Sequence, residues 1–380
     1  MKRIFSLLAA VFLSATVLLQ PIIPAKAVGL QESGAVQTSA AISTSAKASA
    51  IIDLDTGSFI FTKNADERLA IASTTKIMTA LCVIEREADL SRIVTVKPEW
   101  TGIEGSSMYL KPEERISISD MLYGLLLCSG NDAAVALAAI TAGSVHEFCG
   151  VMNEKAKQLG MTNSHFANPN GLPDGEHFST ARDMALLAKA AFANKKFVEI
   201  TSAKTITTDT RTMKNHNKLL WNMEECIGGK TGYTDAAGRC LVSAAERDGM
   251  RFAVVTLNCH DHWNEQPKLY EYAFSGFSHI EITKKTEIEA QIAVISGKEA
   301  TVSVRARGKI VATVPKTAEY KFSLSAENFV YAPVYKGKSA GKLYVTDAQG
   351  KEIFAEVGVE FAHSVGVDAK ARRRLIFGLF

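Results

Sequence analysis

The chain has 380 residues, 47% of them hydrophobic, with 43 Lys plus Arg against 40 Asp plus Glu. Lys2, Arg3 and Lys26 lie in the first 27 residues, which hold no acidic residue, so the remainder carries 40 charges of each sign. That balance excludes an electrostatic nucleic-acid binder, and the length suits two domains with a sizeable core.

Residues 1–27 have the form of a cleaved secretion signal: Lys2 and Arg3, an apolar run from Ile4 to Leu19, then Ala25-Lys26-Ala27. The run is short for a bilayer span and breaks at Pro21 and Pro24. Residues 28–47 read as a flexible linker, because the Ser, Ala, Thr and Gln that dominate from Ser33 to Ala50 offer little apolar surface to offset ordering. Apolar runs on both sides of Asp55-Thr56-Gly57-Ser58 predict a hairpin.

Helical spacing follows. Ile77, Leu81 and Ile84 mark one face of a helix beginning near Ser73, and Met121, Leu122, Leu125 and Leu126 mark a second that stops at Ser129-Gly130-Asn131. A third begins after Thr180, with Asp183 at capping-box distance. Segments 227–233, 239–245 and 252–257 predict an antiparallel meander, closed by a helix over 266–277. Strands, helices, then strands imply an α+β domain over 48–278, its antiparallel sheet flanked by helices.

Alternating segments from Glu289 to Val357 predict a small all-β sandwich over 279–362. The tail, 363–380, carries Arg372-Arg373-Arg374 before Leu375-Ile376-Phe377, which fits a peripheral membrane contact or a frayed end equally well. Six cysteines lack metal-ligand spacing; in an exported protein they could form disulfides, yet Cys82 and Cys128 sit inside apolar helical patterns, so most read as packing residues. No metal or cofactor is expected.

A serine hydroxyl needs a base within hydrogen-bond reach before it can attack a carbonyl. Ser73-Thr74-Thr75-Lys76 supplies both, with burial and a second cation, Lys230, to lower the lysine pKa. Ser339-Ala340-Gly341-Lys342 has the same spacing in what reads as a Gly-rich turn, so spacing alone does not choose. Context does. Ser129-Gly130-Asn131 offers a proton relay and a carbonyl anchor, and Lys230-Thr231-Gly232 offers a cation and hydroxyl for a carboxylate, with a glycine for close approach.

These three motifs in this order resemble the penicillin-binding proteins and serine β-lactamases. The stretches 165–172, 177–183 and 215–220, with Gly229-Lys230-Thr231-Gly232-Tyr233-Thr234, narrow the resemblance to D-alanyl-D-alanine carboxypeptidases. It implies that Ser73 attacks the peptide between two terminal D-alanines of a peptidoglycan stem peptide and that Lys76 takes its proton. It further implies that Ser129 relays a proton, that Asn131 holds the acyl-side amide, and that the backbone N–H groups of Ser73 and Tyr233 form the oxyanion hole. Lys230, Thr231 and Thr234 receive the carboxylate, and β-lactams acylate the same serine. Some members place an arginine past the strand ending near Leu257, where this chain has Asn258-Cys259-His260-Asp261. The rivals are a class A β-lactamase, which needs a Glu-x-x-Asn between the second and third motifs that this chain lacks, and a non-catalytic wall-binding protein. His165, His177 and His216 suit loop packing better than a Ser-His pair.

Overall fold

Continuous burial along the first described strand sets the architecture. The computed structural model describes residues 42–282 and 290–370; the signal 1–27, most of the linker and the tail beyond 370 lie outside them. Strand β1 (Ala48–Asp53) is buried on both faces, with Ala48, Ala50 and Ile52 in one apolar cluster and Ile51 in another. It pairs antiparallel with β2 (Phe59–Lys63), the predicted hairpin.

The chain continues through α1 (Lys76–Arg86), a ribbon of β3 (Ile93–Thr95) and β4 (Arg115–Ser117), then α2 (Ile118–Leu127), α3 (Asn131–Ala142), α4 (Val145–Gln158), α5 (Ala181–Ala193) and α6 (Lys195–Ser202). A second ribbon, β5 (Thr205–Thr207) with β6 (Thr212–Lys214), and a short α7 (Leu219–Asn222) lead to the meander β7 (Cys226–Thr234), β8 (Gly238–Arg247) and β9 (Met250–Leu257). The sheet order is β2-β1-β9-β8-β7. The two ends of the segment 48–257 thus meet in one sheet, and β7 is left as an edge.

Helix α5 packs on one face beside β1, β8 and β9, and α8 (His262–Gly276) packs on the other. Serine and threonine caps start three of the helices, Ser117 accepting from Asp120 N, Ser144 from Glu147 N and Thr180 from Asp183 N; each such cap stabilises by about 1 kcal/mol.

Helix α8 runs directly into β10 (Phe277–Ile282), which begins the all-β part. There β10 pairs with β13 (Ile310–Pro315). A second, six-stranded sheet has the order β14-β16-β17-β12-β11-β15, formed by β11 (Gln291–Ile295), β12 (Thr301–Ala306), β14 (Tyr320–Ser325), β15 (Phe329–Tyr331), β16 (Ser339–Asp347) and β17 (Ile353–Phe361). Both sheets contribute to one apolar cluster that includes Ile282, Val314, Val345 and Val359. Bridges continue past residue 362, Val365 with Val334 and Val367 with Gly297.

Candidate active site

Ser73 does not begin an α-helix, as its spacing predicts, but lies in a 3-10 turn, Ala72–Thr75, that leads into α1. In such a turn residues i and i+3 eclipse, which carries Lys76 directly over Ser73. Its Nζ lies 2.9 Å from Ser73 Oγ. Ala72 has a φ of +46°, a left-handed conformation that costs a non-glycine residue roughly 1–3 kcal/mol and persists only where the surroundings enforce it. The Thr74 hydroxyl donates to Ile71 O at 2.6 Å and the Thr75 hydroxyl to Ala72 O at 2.8 Å. Gly171, at φ +85°, packs on the same carbonyl so closely that a Cβ there would lie 2.0 Å from the oxygen.

The Lys76 side chain is fully buried. Its amine donates to Ser73 Oγ, to Asn131 Oδ1 at 2.7 Å and to Asn170 O at 2.6 Å. Burial holds its pKa well below the usual lysine value, Lys230 adds to that, and Asp132 opposes it. Of the three partners only Ser73 carries a hydrogen it can return. Loss of a proton from Lys76 therefore turns the amine lone pair toward Ser73 Oγ–H.

Ser129 sits between α2 and α3, nearly buried and in the left-handed region at φ +61°. Asn131 opens α3, and its Nδ2 donates to Glu104 O at 2.5 Å, which fixes Oδ1 as the atom facing Lys76. Asp132 anchors the facing loop by accepting from Ser107 Oγ, Met108 N and Leu110 N.

Strand β7 supplies the opposite wall. Gly232 lies against the nucleophile turn, where a Cβ would come within 3.0 Å of Ser73 N and of Ile71 O. Lys230 is buried, and that burial lowers its pKa to about 7. Along an edge strand alternate residues point their N–H and C=O away from the sheet. The Thr201 hydroxyl bonds both N and O of Gly229, which identifies Gly229, Thr231 and Tyr233 as the outward set. The Lys230 amine covers Thr231 O at 2.8 Å. Tyr233 is exposed, its hydroxyl donating to Asp235 at 3.0 Å, and Thr234 Oγ1 accepts from Ala237 N at 3.1 Å. At the position the resemblance gives to an arginine, Asn258 packs against Gly238; β8 instead sets Arg239 over the Tyr233 ring, 5.7 Å from its centroid.

The second Ser-x-x-Lys is no dyad. Ser339 and Lys342 lie exposed in β16, a strand rather than the expected turn, and the Lys342 amine pairs with Glu356 at 2.7 Å. His165 and His216 make no hydrogen bond to Ser73; His165 meets Glu176 O, and His216 is exposed in a groove of about 640 Å3 with Cys128, Lys214 and Trp221. All six cysteines are free. Asp53, Asp55 and His279 place ligand atoms within 4.8 Å of one another, but Asp53 already accepts from Asp55 N, Thr56 N, His279 Nε2 and Thr313 Oγ1. The cluster is a structural junction. The Asn170 carbonyl on Lys76 was not legible, because Asn168-Pro169-Asn170-Gly171 reads only as a turn and backbone atoms leave no mark in composition.

A family model described as D-alanyl-D-alanine carboxypeptidase matches residues 35–261. The chain is 32% identical over 330 residues to the D-alanyl-D-alanine carboxypeptidase DacF of Bacillus subtilis (strain 168), covering 82% of this chain and 83% of that one. It is 37% identical over 328 residues to DacC of Escherichia coli (strain K12), covering 81% and 82%. Penicillin binding protein 5 from Haemophilus influenzae superposes with a TM-score of 0.78 at 27% identity, over 87% of this chain and 100% of that one. With a family match across more than half its length and relatives that cover four-fifths of it, the chain belongs to the D-alanyl-D-alanine carboxypeptidase family.

Proposed function

We propose that the protein removes the terminal D-alanine from peptidoglycan stem peptides ending in D-Ala-D-Ala, through an acyl-enzyme on Ser73, and that β-lactams acylate the same serine. The observation that carries this reading is the 2.9 Å contact between Ser73 Oγ and a fully buried lysine amine. Neutral Lys76 takes the hydroxyl proton as Ser73 attacks the carbonyl. The oxyanion is received by the N–H of Ser73 and the N–H of Tyr233, an outward group of β7 that neither Thr201 nor Lys230 covers.

The proton passes through Ser129 to the departing D-alanine amine. The second Nδ2 hydrogen of Asn131 holds the acyl-side carbonyl, and Lys230, Thr231 and Thr234 hold the carboxylate, with Gly232 leaving room for the substrate backbone. Water then frees the acyl-enzyme. No Glu-x-x-Asn lies between the second and third motifs, which supports slow release of bound penicillin over β-lactamase turnover.

The catalytic part is assigned to 48–278 and the β module to 279–362, with strand β10 spanning their junction. Export by the 1–27 signal and a peripheral membrane contact of the tail would hold the enzyme at the outer side of the cytoplasmic membrane. Intact-mass measurement after incubation with penicillin, followed by peptide mapping, tests the site. One adduct on Ser73 is expected, and Ser73→Ala is expected to lose both the adduct and D-alanine release from a pentapeptide. An adduct elsewhere overturns the assignment, and rapid turnover of a chromogenic cephalosporin favours the β-lactamase.

A further inference from the structure

We infer that His177 is a positioning residue for the oxyanion hole, acting through Thr75 on the peptide group that joins Ala72 to Ser73; this rests on the Ser73 acyl-enzyme reading. His177 is buried in the loop before α5, and its two ring nitrogens have different partners. Ala167 N–H donates to Nδ1 at 3.1 Å, and a backbone N–H can only donate, so Nδ1 is unprotonated and the ring hydrogen sits on Nε2. Nε2 lies 2.8 Å from Thr75 Oγ1 and donates to it. The threonine hydrogen is thereby directed to Ala72 O, 2.8 Å away.

The relay runs one way, from Ala167 N–H through His177 and Thr75 to the Ala72 carbonyl. A peptide group is planar, so fixing the direction of the Ala72 C=O fixes the direction of the Ser73 N–H on the other side of the plane. That N–H lies beside β7 at Gly232, where it would face a substrate carbonyl together with Tyr233 N–H. Left-handed Ala72 would otherwise relax toward an ordinary turn and swing the donor away. Burial keeps the ring neutral by lowering its pKa to about 4, opposed by Asp174 and reinforced by His165 and Lys76, so the relay is intact at neutral pH.

The test uses the whole protein and separates the acylation rate constant for a labelled penicillin from the preceding binding constant. Wild type must first show the Ser73 adduct; its absence would sink the underlying reading and leave the relay without a subject. Given that adduct, Thr75→Val, which keeps shape and removes only the hydroxyl, is expected to lower the rate constant about 10- to 100-fold, as a small misplacement of a reacting group does, with binding near wild type and the melting temperature lowered by the unpaired Nε2–H and Ala72 carbonyl. His177→Phe is expected to fall by a similar factor, and His177→Gln, which can keep a donor toward Thr75, to recover most of the loss. Acylation at the wild-type rate in Thr75→Val, or a glutamine variant no faster than the phenylalanine one, overturns the proposal.

Discussion

Two buried lysines within one cleft make the proposed site a problem in proton distribution. Lys76 works as a base only when neutral, whereas Lys230 attracts a carboxylate only when charged, and burial lowers the pKa of both. Since Lys230 in the free protein titrates at about 7, its charge, and with it the grip on the carboxylate, fades as pH rises through that value. Penicillin acylation should therefore decline on the alkaline side. In Lys230→Arg, whose guanidinium keeps its proton, that decline should disappear; an unchanged alkaline limb in a stopped-flow pH series would place its cause elsewhere. Lys76→Arg should acylate slower by roughly 10²- to 10⁴-fold, the range of a lost general base, because arginine cannot give up the proton that lysine must.

At the scale of elements, the turn between sequence and site is the informative place. The apolar run of β1 and the helical face of Ile77 and Leu81 were readable because side-chain burial writes itself into composition. The 3-10 turn at Ser73 was not, since the close approach of Gly171, a residue 99 positions away, to the Ala72 carbonyl leaves no mark in the local sequence. Strand β10 was missed because it follows α8 without an intervening loop. Ser129, Asn131 and Lys230 were legible as motifs, but the bond from Lys76 to Asn131 and the approach of β7 to the Ser73 turn depend on elements distant in sequence packing together. Gly171→Ala tests the close approach at the turn. With positive φ and a Cβ directed at Ala72 O, it should cost roughly 1–3 kcal/mol from overpacking alone, seen as a lower urea midpoint together with slower acylation.

Across the whole molecule, the catalytic sheet and the β module share a polar junction. Asp53 at the end of β1 accepts from His279 of β10 at 2.6 Å and from Thr313 of β13 at 2.8 Å. Burial pushes the Asp53 carboxyl up, but the bonds from His279, Thr56 and Thr313 outweigh it and hold the carboxyl below its ordinary value. The bond to Asp53 raises His279, against its own partial burial, with Asp55 adding to the rise. Stability from the depressed carboxyl is present above its ordinary pKa of 3.8 and lost as pH falls through the folded value; stability from the raised imidazole is present below 6.5 and lost as pH rises through its folded value. His279→Ala should thus lower the melting temperature more at pH 5 to 6 than at pH 9. An equal loss at both would show that the imidazole charge contributes nothing.

The sealed rim of β7 has a consequence for solubility. An unpaired strand edge is a template on which another chain can add by backbone pairing, the route to aggregation. Thr201 closes that edge at Gly229 and Lys230 closes it at Thr231 O, so the groups left uncovered, the Thr231 N–H and the pair at Tyr233, span about two residue steps, roughly 7 Å of strand. A stretch that short can accept a single acyl group and is too brief to nucleate a sheet with a neighbouring molecule.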